Sequence, residues 1–272
     1  MKTQSPKTQS MKKNSMRTTI QWTFFLSVVS LAGVSEFAVA DSDLQANPYR
    51  PSVGSPASLP VPQHLEMEFG VANANTSGSN TKTSPLLLKY AFNSSIGLTL
   101  GLNPFTQIKT PTDHTNGQGD GSLTLKLAQP VTDGFMVGEE FSTTLPIANH
   151  HLGTDKANQT INLIASNDFS GFHSDVNVNL TRFGDDQGSG VSQQSVGWSA
   201  GISHPLVNQL SGGLEWSGTE QHGADSTIQV LESIGFSYTN QTVFDLYTAQ
   251  QRVGSHDRNY SFGFGVTHLF AN

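Results

Sequence analysis

The chain ends in the stretch Tyr260-Ser-Phe-Gly-Phe-Gly-Val-Thr-His-Leu-Phe270. Every second residue of this stretch is large and mostly apolar. Between Tyr260 and His268, the residues that separate them are serine, glycine or threonine. Successive side chains of a β-strand point to opposite faces, so this period of two predicts a strand with one aromatic face and one small, polar face. The kind of sheet that contains this strand depends on whether the rest of the chain repeats the pattern.

The same period of two recurs in eleven earlier segments of the chain. Each segment is about eight to twelve residues long, near the ~9–11 residues with which a tilted strand crosses a bilayer. The large residues that share one face in each segment are Leu65/Met67/Phe69/Val71, Leu86/Leu88/Tyr90/Phe92, Ile96/Leu98/Leu100/Leu102, Leu123/Leu125/Leu127, Phe135/Val137/Phe141/Leu145, Ile161/Leu163/Ala165, Val176/Val178/Leu180, Val196/Trp198/Ala200/Ile202, Leu210/Leu214/Trp216, Ile228/Val230/Ile234/Phe236 and Phe244/Leu246.

The connections between these segments alternate between short and long. The short connections are 93–95, 129–134, 167–171, 205–209 and 239–241, and the long ones are 73–84, 103–120, 146–158, 183–195, 218–226 and 250–259. Short periplasmic turns and longer extracellular loops are typical of outer-membrane barrels, whereas a soluble β-sandwich, the alternative, gives no reason for strict alternation. The sequence therefore predicts an all-β fold, an antiparallel transmembrane β-barrel of about 12 strands over residues 64–272. Its last strand is expected to pair with residues 65–74.

The N-terminus has the parts of a secretory signal peptide. Five basic residues precede an apolar run at 20–34, and Ala38-Val39-Ala40 is a small-residue cleavage motif. We therefore predict that residues 1–40 are a Sec-type signal peptide for export, cleaved between Ala40 and Asp41. Together with the barrel, it predicts that the protein is located in the cell outer membrane. A retained N-terminal anchor is the alternative, and the sequence leaves open whether translation starts at Met1 or Met16.

Residues 41–63 are rich in proline. Because proline lacks a backbone N–H and fixes φ, this composition predicts an extended or disordered periplasmic lead-in, a linker and not a domain. The prolines are Pro48, Pro51, Pro56, Pro60 and Pro62.

Composition limits the function classes. The chain carries 14 Lys and Arg against 21 Asp and Glu and has no cysteine. The acidic balance argues against a nucleic-acid partner, and the absence of cysteine excludes disulfides and thiolate metal sites.

Several short stretches carry a resemblance to a known family. They are Arg50–Pro60, Leu65–Gly70, Pro85–Tyr90, Gly119–Lys126, Thr144–Pro146 and Phe262–Phe270. Over most of residues 50–270 the chain resembles the transporters of the phenol-degradation meta-pathway family. The resemblance implies an outer-membrane β-barrel linked to uptake of aromatic compounds. The chain departs from the pattern at its end, where Ala271-Asn272 follow the terminal phenylalanine.

If the apolar faces meet lipid, the alternate residues face the lumen. Such side chains would line a pore and set its selectivity, or would pair with one another and fill a closed lumen; the sequence leaves both open. Glu139 and Glu232 fall on the lipid side by simple alternation. We expect a β-bulge to rotate one of them inward, and a functional role is the alternative. The candidate lumen residues are Lys89, Lys126, Glu140, Asn177, Asn179, Glu215 and Asp245.

Other chemistry is weakly indicated. The pair His150-His151 lies in a long connection without a third ligand at a suitable spacing, so we predict solvated loop histidines and no metal site. A twelve-stranded outer-membrane phospholipase fold would need a Ser and His with suitable neighbours, and the sequence offers neither these nor a G-x-S-x-G elbow. We therefore expect no enzymatic activity and no cofactor.

The sequence thus predicts an outer-membrane channel for passive uptake of small solutes, with aromatic or hydrophobic solutes suggested by the resemblance. The alternative is a structural or surface-interaction barrel without transport, and a lipid hydrolase is a more distant one. The expected partners are outer-membrane lipid, a small-molecule solute and the barrel-assembly machinery. That machinery would recognise the terminal aromatic residues Tyr260, Phe262, Phe264 and Phe270.

Overall fold

The computed structural model describes residues 44–271 except 150 and 256. The predicted signal peptide and its cleavage site at Ala40 and Asp41 lie outside these residues, as do His150 and His256. Within the described ranges, no helix is long and apolar enough to cross a membrane.

The described residues form strands joined by turns. In chain order these are β1 (Leu65–Thr76), β2 (Ser79–Thr83), β3 (Leu86–Ala91), β4 (Ile96–Leu102), β5 (Thr106–Lys109), β6 (His114–Gly117), β7 (Gly121–Thr132), β8 (Phe135–Leu145), β9 (Gln159–Phe169), β10 (Phe172–Arg182), β11 (Gln194–Val207), β12 (Leu210–Gln221), β13 (Thr227–Thr239), β14 (Thr242–Val253) and β15 (Asp257–Leu269).

Twelve of these strands close into an antiparallel barrel. The order around the ring is β1, β3, β4 and then β7 through β15, and β15 pairs back to β1. The closing register runs from Glu66 opposite Leu269 to Asn75 opposite Tyr260. This confirms the predicted twelve-stranded barrel and the pairing of the last strand with residues 65–74.

The short strands β2, β5 and β6 extend the wall at one side of the ring. β2 pairs with the upper part of β1, β5 pairs with β2, and β6 pairs with β5. They lie within 73–84 and 103–120, which the sequence analysis treated as loops. Their residues are mostly polar on both faces, so the period-two apolar signal that marked the other strands is absent here.

The burial pattern of the barrel is inverted relative to that of a water-soluble protein. Apolar side chains on the outer face are exposed, as Leu163 at 55% and Phe264 at 60% illustrate, whereas Lys89 and Glu66 on the inner face are fully buried. Exposed apolar surface on this scale is unfavourable in water, and it is the surface that a hydrocarbon layer would cover.

Glu139 and Glu232 both remain on the outer face and are exposed. The registers of β8 and β13 with their neighbours are uninterrupted around both residues. The predicted bulge near them is therefore wrong. The irregularities occur instead beside short turns, between Pro130 and Thr132, Pro205 and Val207, and Ser237 and Thr239, where strand pairing ends and a local change costs few ladder bonds.

Candidate functional site

Residues Asn47–Ala57, named the lumenal segment below, lie inside the barrel. The preceding residues pack at the short-turn end, where the backbone N–H of Ala46 donates to the carbonyl of Asn240 over 2.8 Å. The lumenal segment then contacts the wall, and Ala57 N–H donates to Ser166 Oγ over 2.7 Å. The chain returns to the short-turn end at Gln63, whose N–H donates to the carbonyl of Ala91 over 2.7 Å.

The expectation that 41–63 forms an extended periplasmic linker is therefore wrong for residues 47–57. Prolines keep this segment out of the sheet, so its backbone N–H and C=O groups need other partners. Polar side chains of the inner wall supply them. Composition alone shows that the prolines exclude the segment from the sheet. It does not show which side chains bind the segment, because these lie from 19 to 162 residues away in sequence.

Two buried lysines anchor the lumenal segment, Lys89 at the carbonyl of Asn47 and Lys126 at the carbonyl of Pro56. Lys89 pairs with Glu66 over 2.5 Å and with Glu68, and its Nζ donates to the carbonyl of Asn47 over 2.6 Å. Lys126 pairs with Glu140 over 3.1 Å. Buried charges of this kind are favourable only when they are paired and hydrogen-bonded, so the wall and the lumenal segment depend on each other.

The aromatic ring of Tyr49 contacts both lysines. Its centroid is 3.7 Å from Lys89 Nζ and 4.0 Å from Lys126 Nζ, within the range of cation–π attraction. Its hydroxyl donates to the carbonyl of Ser58 over 3.0 Å. Burial raises the pKa of Tyr49 well above its ordinary value, and the nearby carboxylates, Glu140 first, raise it further. The Tyr49 hydroxyl therefore stays protonated and neutral.

The opposite wall holds the second half of the lumenal segment. Glu215 accepts backbone N–H bonds from Val53 and Gly54, each at 3.1 Å to Oε1, and a hydrogen bond from the hydroxyl of Ser52. Asn177 makes a reciprocal pair with Ser55, in which Oδ1 accepts from the N–H and Nδ2 donates to the carbonyl, both at 3.0 Å. A bent backbone is thus bound by side chains from two separate strands.

Asp245, on β14, contributes the remaining charged contact. Its Oδ1 lies 3.6 Å from Arg50 Nη2. The Arg50 guanidinium rests against the wall where β1 meets β15, and a Cβ built on Gly70 would come within 2.5 Å of its Cζ.

All seven residues predicted to face the lumen are on the inner wall. Six of them are buried and contact the lumenal segment or a partner of it, and Asn179 is half-buried beside Gly197. The other half of the site was not predicted from the sequence; it consists of residues of the lumenal segment, including Asn47, Tyr49, Arg50 and Ser52. The available signal was an unusual pair of lysines, Lys89 and Lys126, on strand faces that must be enclosed.

Cavities lined by described residues remain between the lumenal segment and the long-connection end of the barrel. One has a volume of about 330 Å³ and is lined by Arg50, Ala72, Leu231 and Tyr247 among others. The second has a volume of about 120 Å³ and is lined largely by amide and hydroxyl side chains, including Asn179. Within residues 44–271, apart from 150 and 256, no group of His, Asp and Glu is arranged to hold a metal ion.

A closed twelve-stranded ring with an apolar exterior and a polar lumen is an outer-membrane β-barrel fold, and solved structures of this fold are similar to the chain. One similar solved structure is the COG4313 outer membrane channel from Pseudomonas putida F1, with a TM-score of 0.61 and 13% identity, covering 86% of this chain and 100% of that one. Another is the NanC porin, with a TM-score of 0.56, 10% identity, and 74% and 98% coverage. A third is the KdgM porin, with a TM-score of 0.53, 11% identity, and 75% and 99% coverage.

At these identities the likeness establishes the fold. No known protein-family profile matches the sequence, and no curated protein matches it significantly. The resemblance to phenol-degradation meta-pathway transporters therefore stays a prediction.

Proposed function

We propose that this protein is an outer-membrane channel for passive passage of small solutes, closed in this structure by its own lumenal segment. The observation that carries the proposal is the enclosed polar lumen, which is occupied by a stretch of chain hydrogen-bonded to wall side chains and not by a packed apolar core. Aromatic or hydrophobic solutes are the finer proposal, and it rests on the sequence resemblance alone.

The outer surface supports the membrane location. Exposed apolar side chains occur around the ring, as Val176 on β10, Trp216 on β12 and Phe262 on β15 illustrate. Such a band faces lipid in transmembrane barrels. The short turns would then lie in the periplasm, where the barrel-assembly machinery would recognise the terminal aromatic strand.

The inner contacts support closure by the lumenal segment. Hydrogen bonds to Glu215 and Asn177 on one wall and to Glu66 and Glu68 on the other span the lumen. Each of these bonds joins the lumenal segment to a side chain and none continues a strand ladder, so departure of the segment would break side-chain contacts and leave the strand pairing of the ring in place. A passage would open along the inner wall as it moves.

Planar-bilayer recording of the full mature chain tests this proposal. We expect discrete single-channel openings in KCl, and faster uptake of small aromatic solutes by cells that express the protein than by a deletion strain. Absence of conductance together with unchanged uptake would contradict the channel proposal.

The filled lumen also favours a second candidate, a permanently closed barrel whose long connections bind a surface partner. In that case the lumenal segment is a structural core. Passage of ions or sugars through the purified protein would count against this candidate.

A further inference from the structure

The larger cavity has an unusual charge distribution. Of the described residues that line either cavity, Arg50 alone is charged. The remaining lining side chains are alanine, leucine, valine, proline, tyrosine, tryptophan, serine, threonine and neutral amides, together with glycine. A single cation in an otherwise neutral cavity gives that cavity a preference for anions.

Arg50 also has unused hydrogen-bonding capacity. Its side chain is 13% exposed, and among the described residues its Nε and Nη2 have no hydrogen-bond partner. Asp245 is the nearby carboxylate, but the 3.6 Å separation of Nη2 and Oδ1 is longer than a hydrogen bond, and that oxygen is also without a partner. Buried donors are rarely left in this state, because each costs free energy.

The walls of the cavity are suited to a compact apolar body. Leu231, Ala72, Ala74 and the ring of Tyr247 face the same space as Arg50. A volume of about 330 Å³ is at the lower end of small-molecule sites. It admits a single small ring or short acyl chain.

We propose that this cavity binds a small monocarboxylate through Arg50, with the apolar body of the solute against Leu231 and Tyr247. This rests on the proposed channel function and names the solute class that the channel takes from the long-connection side. The solute carboxylate accepts from the guanidinium in competition with Asp245. Because Arg50 belongs to the lumenal segment, binding also weakens one contact that holds the segment to the wall.

Equilibrium dialysis with the full mature chain in detergent, using benzoate as the probe and the isosteric neutral benzamide as the comparison, tests the site. We expect benzoate to bind more tightly than benzamide, and Arg50→Gln to weaken benzoate binding by about tenfold or more, the effect of losing a charge-assisted hydrogen bond. Equal binding of the two probes, or benzoate binding that Arg50→Gln leaves unchanged, would overturn the proposal.

Asp245→Asn is the second variant, because Arg50→Gln could act by releasing the lumenal segment. Removing the competing carboxylate keeps Arg50 and should tighten benzoate binding severalfold, with benzamide binding unchanged. A weaker or unchanged affinity for benzoate would overturn the proposal. Conductance of the wild-type chain is recorded in parallel. If the channel conducts but benzoate binding does not depend on Arg50, the binding site is wrong and the channel function stands. If benzoate binds but the protein does not conduct, the channel function is wrong and the binding site stands.

Discussion

Gly70 of β1 and Gly265 of β15 are register partners across the seam that closes the barrel. A Cβ built on Gly70 would lie 2.5 Å from Arg50 Cζ, and one built on Gly265 would lie 2.9 Å from Arg50 Nε. The absence of side chains at this pair therefore leaves room for the guanidinium. The seam of the barrel and the position of the lumenal segment are linked at this point.

Gly70→Ala should dislodge Arg50 without unfolding the barrel. The three atoms nearest to the added Cβ all belong to the guanidinium, the far end of a flexible side chain, so Arg50 can move while the ring persists. We expect the heat-shifted band of the folded barrel on gels to be retained, whereas protease cleavage within 47–57 becomes faster.

Gly201→Ala is the matched control. This glycine is also on the inner face, but its added Cβ would meet only Glu215 atoms at 3.7 Å or more, an ordinary contact. Equal protease sensitivity of the two variants would show that Gly70 has no special relation to Arg50.

Lys89→Met should destabilise the folded barrel strongly. It leaves Glu66 and Glu68 fully buried without a cation, and breaking a buried pair in this way typically costs about 3–5 kcal/mol. Urea unfolding in lipid vesicles measures the change. Lys126→Met should cost less, because Glu140 is less completely buried than Glu66 or Glu68.

Adding Glu66→Gln and Glu68→Gln to Lys89→Met provides the internal check. Neutralising both carboxylates should restore most of the lost free energy of unfolding, because no buried charge is then unpaired. If the triple variant is as unstable as Lys89→Met alone, the loss comes from packing and the account of the charge cluster is wrong.

Much of the fold was readable from the sequence because the bilayer imposes a simple rule. Lipid favours an apolar residue at every second position, so β7 or β10 shows its period without reference to any other strand. Strands β2, β5 and β6 escaped detection because their faces are polar. Pairing of the chain ends followed from the ring itself, since a closed barrel leaves no free edge.

The candidate site was readable only in part. Alternation placed Lys89 and Glu215 on the inner face. Their partners Tyr49 and Val53 could not be predicted, because they lie in a segment without periodicity. Whether such a segment enters the lumen depends on complementary hydrogen bonds between distant parts of the chain. The composition of the lumenal segment shows only that its prolines exclude it from the sheet.

Glu232→Leu should stabilise the barrel in lipid. The side chain faces outward between Val230 and Ile234, and a carboxylate there is less favourable in hydrocarbon than an apolar residue. We expect the free energy of unfolding in vesicles to rise by about 1–2 kcal/mol. Glu139→Leu on β8 should act in the same direction.

Glu232→Gln separates charge from shape, because the amide keeps the size of the side chain and remains polar. It should give a smaller gain than Glu232→Leu. A loss of stability in both variants would mean that the carboxylate has a partner on the outer face, and that this part of the surface does not simply meet lipid.

In the proposed channel, the lumenal segment closes the solute pathway. A Cβ built on Gly138 would lie 3.4 Å from the Cβ of Ala57, close to the about 3.5–4.5 Å that a disulfide requires. The chain has no cysteine of its own, so Ala57→Cys/Gly138→Cys can form only this crosslink within the molecule. The deciding measurement is single-channel conductance of this variant in planar bilayers, oxidised and then reduced, beside each single variant. We predict that the double variant shows no openings when oxidised and wild-type openings after reduction, and that reductant leaves the conductance of each single variant unchanged. Equal conductance of the double variant in both states would contradict closure by the lumenal segment.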